Sequence, residues 1–215
     1  AYPEPKKIHA HDDLFARASD FGLTHHDIAS EHHAFIIMRH PTARFLSLYF
    51  DKVIGNGSGG FNRLHRQLAK QRDFDPNADS VLGHFKNCIA LANVLERGMK
   101  DREYLPPNGH WDMQTLRLGA IKDCRLKVLL VENLDAQMEV LLRDIVPDIA
   151  KRLRHLGARN RSQKPIEPTE LMLPAMIERI AELYPRDQRH YDRAIRMWDR
   201  VDLATATNAD VPRLY

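Results

Sequence analysis

The sequence contains little cysteine: among its 215 residues only Cys88 and Cys124 are cysteines. Two thiols do not provide a disulfide framework, although a bridge between them stays open, and we expect a reducing compartment. The sequence has no apolar run close to the roughly 20 residues that cross a bilayer, and it shows no signal peptide. These absences predict a cytoplasmic protein without a membrane span.

An excess of one charge sign is also missing. The chain carries 32 Lys and Arg against 29 Asp and Glu, which gives a formal net charge of +3 with histidine neutral. Mild basicity is compatible with an anionic ligand, but no pattern of aromatic and basic surface residues accompanies the charge. We therefore expect no nucleic-acid partner. The length suits one domain with a sizeable core, which we place at residues 1–215.

Two kinds of site lack the residues that they need. The Gly-rich loop at residues 55–60 does not end in Gly-Lys-Ser/Thr and follows a helix instead of a strand, so it does not predict the phosphate loop of a nucleotide kinase. The pairs His25-His26 and His32-His33 have no thiol or carboxylate pattern around them that would complete a ligand set. We therefore predict no metal site.

The chain is organised around residues 35–54. The short apolar run at the start of this stretch predicts a buried strand, and Pro41 suits the first position of a following helix because its φ is preset. Phe45, Tyr49 and Val53 then recur at helical spacing. A helix N-terminus offers free N–H groups and the positive end of its dipole, so this strand–helix junction, with cations beside it, predicts an anion site.

Longer helices alternate with short apolar strands over the rest of the chain. The second clear strand covers residues 127–131. The further predicted helices cover residues 61–72, 80–95, 134–145, 172–184 and a last stretch that reaches Trp198. This order predicts an α/β fold with a central, mostly parallel sheet flanked by helices, in which helix dominates.

Residues 39–49 read Arg-His-Pro-Thr-Ala-Arg-Phe-Leu-Ser-Leu-Tyr. The segment resembles the 3′-phosphate-binding motif of sulfotransferases, Arg-x-Pro-x-x-Arg-x-x-Ser-x-Tyr, with every fixed position filled. The resemblance implies a P-loop-kinase-like sulfotransferase fold and 3′-phosphoadenosine-5′-phosphosulfate (PAPS) as co-substrate. It implies that Arg39 and Ser47 hold the 3′-phosphate, and Arg44 matches the motif's second Arg. A guanidinium binds phosphate in a fork and a hydroxyl adds a neutral donor, which suits these roles.

Later segments resemble, in the same order, the carbohydrate branch of that family and its bacterial relatives. Residues 128–134 resemble a late strand that ends in Glu-x-Leu, and residues 180–191 resemble a closing Tyr-x-x-Asp-x-x-x-Tyr helix. An Asn-Arg-Ser segment resembles an Asn-x-Ser loop near the nucleotide, which makes Arg161 and Ser162 further candidates for cofactor binding. The resemblance implies transfer of a sulfuryl group from PAPS to an acceptor hydroxyl on a carbohydrate.

The resemblance spans roughly residues 8–195, but one part of the family pattern is absent. A 5′-phosphosulfate loop of the kind Pro-Lys-x-Gly-Gly-Thr normally precedes this region, and the sequence does not contain it. Its Lys and N–H groups neutralise the charge that shifts onto the leaving phosphate. Two interpretations stay open. In the first, which the start at Ala1 favours, a natural N-terminal segment is missing from the sequence. In the second, the chain is a non-catalytic nucleotide- or ligand-binding relative.

Sulfuryl transfer to a hydroxyl needs a general base near the acceptor oxygen. Some carbohydrate sulfotransferases carry a His-containing segment upstream of the 3′-phosphate motif, and an Ile-His-Ala-His segment lies in a similar place here. On a strand His9 and His11 would share a face, and we take His11 as the candidate base with His9 second. Two surface histidines are the alternative. Glu132 is either a second base candidate or a structural strand-end residue, and His110-Trp111 either lines an acceptor pocket or packs on the core.

Overall fold

The computed structural model describes residues 34–55, 61–116, 126–148 and 164–213, together with Gly22, Thr24 and Asp27. Four of the candidate site residues lie outside the described residues: His9, His11, Arg161 and Ser162. Their assignments stay predictions, as does the extent of the domain.

Two short strands form a parallel sheet, β1 at Phe35–Met38 and β2 at Lys127–Leu130. They pair in register over their whole length, and Lys127 also makes an isolated antiparallel bridge with Arg213. Parallel strands need a long crossover, and the described part of the chain between these two contains three α-helices and a π-helix. The predicted helix-rich α/β fold with a parallel sheet is confirmed.

The two strands differ in burial. All four residues of β2 are buried, whereas β1 buries Met38 and leaves Phe35 40% and Ile37 42% exposed. The prediction of a buried strand is therefore wrong for these two residues. In the described part of the chain β2 is the strand that pairs with β1, so the opposite edge of β1 has no described neighbour. Phe35 and Ile37 alternate with Ile36 and Met38, so they share one face of the sheet. Apolar residues can predict a strand, but they do not specify which of its faces will be covered.

Helix α1, Pro41–Leu48, begins two residues after β1 and continues as a π-helix, Tyr49–Ile54. Pro41 occupies the first helical position, as predicted, and the ring Nδ1 of His40 caps the helix by accepting from the N–H of Thr42 at 3.2 Å. The residues predicted to share the inner face of this helix are buried, namely Phe45, Tyr49 and Val53. The local pattern thus specified both the start and the packing face of the element.

The described residues form five further α-helices: α2, Asn62–Leu68; α3, Val81–Lys100; α4, Leu134–Leu142; α5, Pro174–Leu183; and α6, Pro185–Trp198. The hydroxyl of Ser80 caps α3 by accepting from the N–H of Gly83 at 3.2 Å. Pro185 starts α6 directly after Tyr184, so α5 and α6 are separate helices that meet at a sharp junction. Within the described ranges, no helix is long and apolar enough to cross a membrane.

Two hydrophobic clusters form the core. The larger one joins α1 and the π-helix to α2, α3 and α5, and the smaller one lies between the sheet, α4 and α6. Trp198 fixes α6 to the sheet, because its indole Nε1 donates to the carbonyl of Val128 at 2.8 Å. Met38 belongs to the smaller cluster and Phe45 to the larger one. The β1–α1 junction therefore lies where the two clusters meet, and packing on both sides holds it.

Candidate functional site

A small pocket of about 180 Å³ opens at the β1–α1 junction. It is lined by Arg39, Arg44, Ser47, Leu48, Asp51, Gly109 and His110. Arg39 follows the end of β1 and Ser47 lies in the last turn of α1, and both side chains line this pocket. The structure thus brings together the three described residues that the sequence predicted for cofactor binding, Arg39, Arg44 and Ser47.

The backbone of Arg39 is clamped by one side chain. The amide of Gln114 accepts from the N–H of Arg39 at 3.0 Å and donates to its carbonyl at 2.9 Å. These two bonds fix the strand end and leave the guanidinium unused, since it has no hydrogen bond or ion pair with a described residue. Because the backbone of Arg39 is fixed, its guanidinium is well placed to bind an oxyanion through two parallel N–H donors.

Asp187, in the first turn of α6, holds the turn that carries Gln114. Its buried carboxylate accepts from the N–H of Gln114 at 2.7 Å and from the N–H and hydroxyl of Thr115 at 2.9 and 2.7 Å. Three donors compensate the desolvation of this charge. A continuous chain of contacts therefore links α6, through the 114–115 turn, to the backbone of Arg39.

Arg44 acts mainly as a cross-link. Its Nη2 donates to the carbonyls of Gly109 at 2.8 Å and Asp112 at 2.6 Å, and its Nη1 lies 3.9 Å from Asp187 Oδ2. The guanidinium also lies over the ring of Tyr184, 5.8 Å from its centroid. These contacts favour a positioning role that shapes the pocket wall. Direct binding of the cofactor by Arg44 stays a prediction.

Glu132 holds the strand–helix junction from the side of β2. Its Oε1 accepts from the backbone N–H of His40 at 3.1 Å. Burial, together with the charge of Glu132, raises the pKa of Tyr191, whose ring meets that of His40 edge-on at 5.0 Å. Burial also lowers the pKa of His40, against the raising effect of Glu132 and Asp192. Of the two interpretations for Glu132, these contacts favour the structural one.

The last residue of the motif, Tyr49, is a buried anchor. Its hydroxyl shares a hydrogen bond of 2.7 Å with Nδ1 of His84 and accepts from Nδ2 of Asn87 at 3.3 Å. Asn87 in turn accepts from the N–H of Asp75 at 2.7 Å and donates to its carbonyl at 2.6 Å. Burial is the main reason why the pKa of Tyr49 is raised. This residue stabilises the helix behind the pocket and has no access to a ligand.

His110 and Trp111 have different environments although they are adjacent. Trp111 is buried, and its indole Nε1 donates to the carbonyl of Pro106 at 3.2 Å. The backbone carbonyl of Trp111 accepts from the hydroxyl of Tyr184 at 2.8 Å. Trp111 packs on the core and offers no platform for a sugar. His110 is exposed and lines the pocket.

Sequence reasoning missed Gln114, Thr115 and the capping role of His40. Gln114 and Thr115 follow no local motif, and their role depends on partners more than 70 positions away in the chain. His40 stands directly before a proline at the first helical position, which is a weak signal of a cap because Ser, Thr, Asp and Asn are the usual capping residues.

A second, larger pocket of about 660 Å³ lies next to the first and shares Arg44 and Gly109 with it. Its walls are the exposed residues of β1 and the loop at residues 107–116. This loop contains His110 and Trp111, for which one of the two interpretations of the sequence was an acceptor pocket. Among the residues that the structure describes, no group of three or more His, Cys, Asp or Glu could hold a metal ion.

Residues 3–194 match the model of a protein family described as the Sulfotransferase family. No curated protein and no solved structure gives a significant match. The matched region includes the β1–α1 junction, the 114–115 turn and the first ten residues of α6. It therefore contains every element that builds the small pocket.

Proposed function

The chain belongs to the sulfotransferase family, and on that premise we propose that it transfers a sulfuryl group from PAPS to the hydroxyl of an acceptor. The observation that carries this proposal is the small pocket, where the unused guanidinium of Arg39 and the hydroxyl of Ser47 share one wall. Neither side chain has a hydrogen bond with a described residue. The N-terminus of α1 adds a positive dipole end next to Arg39. A 3′-phosphate is the ligand that best satisfies these donors.

The proposed reaction is an in-line displacement at sulfur. The acceptor oxygen forms a bond to sulfur while the bond from sulfur to the 5′-phosphate oxygen breaks, and adenosine 3′,5′-bisphosphate leaves. A general base takes the hydroxyl proton, and for this role we keep His11 as the first candidate and His9 as the second. Arg161 and Ser162 remain proposed cofactor ligands. Arg39 and Ser47 do not act on the reacting atoms, and their role is to hold PAPS by its 3′-phosphate.

We propose a carbohydrate as the acceptor. The support for this class is the resemblance of residues 128–134 and 180–191 to the carbohydrate branch of the family. The larger pocket offers room beside the small pocket, and the loop that lines it contains His110, which one interpretation of the sequence places in an acceptor pocket. The expected cytoplasmic location also stays a prediction.

Calorimetric titration with adenosine 3′,5′-bisphosphate tests the nucleotide site. Arg39→Ala should weaken binding by about 10- to 150-fold, because a hydrogen bond to a charged group contributes about 1.5–3 kcal/mol. Arg200→Ala is the matched control, since Arg200 is exposed and lies 13 positions after Asp187, about 20 Å along α6 if helical spacing continues. Equal affinities of the wild type and Arg39→Ala would rule out the assigned 3′-phosphate site.

A screen of hydroxyl acceptors with sulfur-labelled PAPS tests the transfer itself. Mono- and oligosaccharides should accept label, whereas phenols and simple alcohols serve as acceptors of other chemistry. Labelling of a phenol but of no sugar would contradict the carbohydrate assignment. Tight binding of adenosine 3′,5′-bisphosphate without transfer to any acceptor would favour the non-catalytic alternative.

A further inference from the structure

His110 is a pocket residue to which the resemblance assigned no role in nucleotide binding. It lines the small pocket together with Arg39 and Ser47, and its ring packs edge-on against Phe61 with the centroids 5.3 Å apart. Its backbone N–H donates to the side chain of Asn108 at 2.9 Å. The two ring nitrogens have no hydrogen-bond partner among the described residues, so they are available to a ligand.

The loop around His110 is held on both sides. Arg44 donates to the carbonyl of Gly109 at 2.8 Å, and the buried hydroxyl of Tyr184 donates to the carbonyl of Trp111 at 2.8 Å. Both neighbours of His110 are thus tied to helices of the core. A side chain on such a fixed backbone loses little conformational freedom when it binds a ligand.

The charges that face the imidazole are mostly positive. Partial desolvation of the ring is the largest cause of the lowered pKa of His110. Lys52 and Arg44 lower this pKa further, and Asp51 raises it. Asp51 is itself paired with Lys52, whose Nζ lies 2.9 Å from its carboxylate. An anion in the pocket would offset the two cations and favour the protonated ring.

We propose that His110 is a third binding residue for the 3′-phosphate, to which it donates a ring N–H beside Arg39 and Ser47. This inference rests on the proposed function, because it takes the ligand of the pocket to be the 3′-phosphate of PAPS. The ring takes up one proton from solvent as the dianion binds. His110 therefore makes the pocket selective for a doubly charged phosphate and couples nucleotide affinity to pH.

Calorimetry with adenosine 3′,5′-bisphosphate in two buffers of different ionisation enthalpy measures this proton uptake. We compare the wild type with His110→Asn near pH 6.5, the ordinary pKa of imidazole, and again at higher pH. The variant should bind about tenfold more weakly at the lower pH, as expected for the loss of a charge-assisted bond. It should also lose the extra proton uptake. The free ligand's phosphates titrate identically in both experiments, so the difference in proton uptake between the two proteins reports the change made at His110.

The sign of the pH effect follows from linkage. Binding raises the pKa of His110 from a lowered value, so the advantage of the wild type over His110→Asn is full at low pH. It disappears as pH rises through the pKa of the bound state. His110→Lys keeps a cation at all these pH values and should restore affinity without this pH dependence. Adenosine 5′-monophosphate lacks the 3′-phosphate and should bind all three proteins equally.

Two failures can be told apart. If the wild type binds the bisphosphate and Arg39→Ala weakens binding, but His110→Asn changes neither affinity nor proton uptake, the role of His110 is refuted and the 3′-phosphate site stands. If the wild type does not bind, or Arg39→Ala binds as well as the wild type, the proposed function falls and the role of His110 falls with it.

Discussion

Asp187 offers the most direct test of how the site is held together. In Asp187→Asn the amide oxygen can still accept from Thr115. The amide nitrogen, however, then faces the N–H of Gln114, so two donors meet where the N–H of Gln114 donates to the carboxylate at 2.7 Å in the wild type. A hydrogen bond to a charged group contributes about 1.5–3 kcal/mol, and an unsatisfied buried donor costs about 1–3 kcal/mol. We therefore expect the variant to lose about 3 kcal/mol of its free energy of unfolding.

Thermal unfolding followed by circular dichroism measures this loss. For a chain of this length about 3 kcal/mol corresponds to a fall in Tm of about 6–12 °C. Asp199→Asn makes the same chemical change at an exposed position after the last turn of α6, and it should stay within about 0.5 kcal/mol of the wild type. If Asp187→Asn unfolds at the same temperature as Asp199→Asn, the buried carboxylate does not hold the 114–115 turn in the way described.

Two further substitutions test the packing behind the pocket. Tyr49→Phe leaves His84 and Asn87 without their shared hydroxyl in the core, and it should cost about 1–3 kcal/mol in urea unfolding; an unchanged midpoint would show that the buried network contributes nothing. Gly98→Ala places a Cβ 2.6 Å from the Cβ of Leu105, and the resulting overpacking of about 1–3 kcal/mol should outweigh the gain of about 1 kcal/mol in helix propensity. A more stable Gly98→Ala variant in the same assay would contradict the close helix–loop contact.

Local patterns were enough to predict the elements that build the site. Pro41 and the spacing of Phe45, Tyr49 and Val53 predicted the start and the inner face of α1, because both depend on residues within a few turns of one another. The apolar run at β2 predicted a buried strand for the same reason. The motif at residues 39–49 also brought together the described cofactor candidates, since all of them belong to one strand–helix unit.

The supports of the site could not be predicted in this way. Gln114 contacts Arg39 across 75 positions and Asp187 across 73, and no periodicity in the sequence reports such a pair. The exposure of Phe35 and Ile37 could not be predicted for the same reason, because it depends on which segment of the chain covers their face of β1. The sequence left two interpretations for Glu132, because a Glu at a strand end can act as a base or hold a loop. Its contact with the backbone of His40 distinguishes them.

The chain of contacts from Asp187 through Gln114 to Arg39 has a consequence for folding. The three residues come from the first, middle and last parts of the chain, so the loops between them must close before the strand end is fixed, and such long closures carry a large entropic cost. During synthesis, residues 39–49 leave the ribosome long before α6 does. Until α6 has emerged, the contacts of Asp187 with the 114–115 turn cannot form. The nucleotide affinity that we propose for the small pocket is thus acquired late, when α6 packs on the core. A nucleotide bound at the proposed site would in turn stabilise the folded state by mass action, so its binding would report whether α6 has packed against the 114–115 turn.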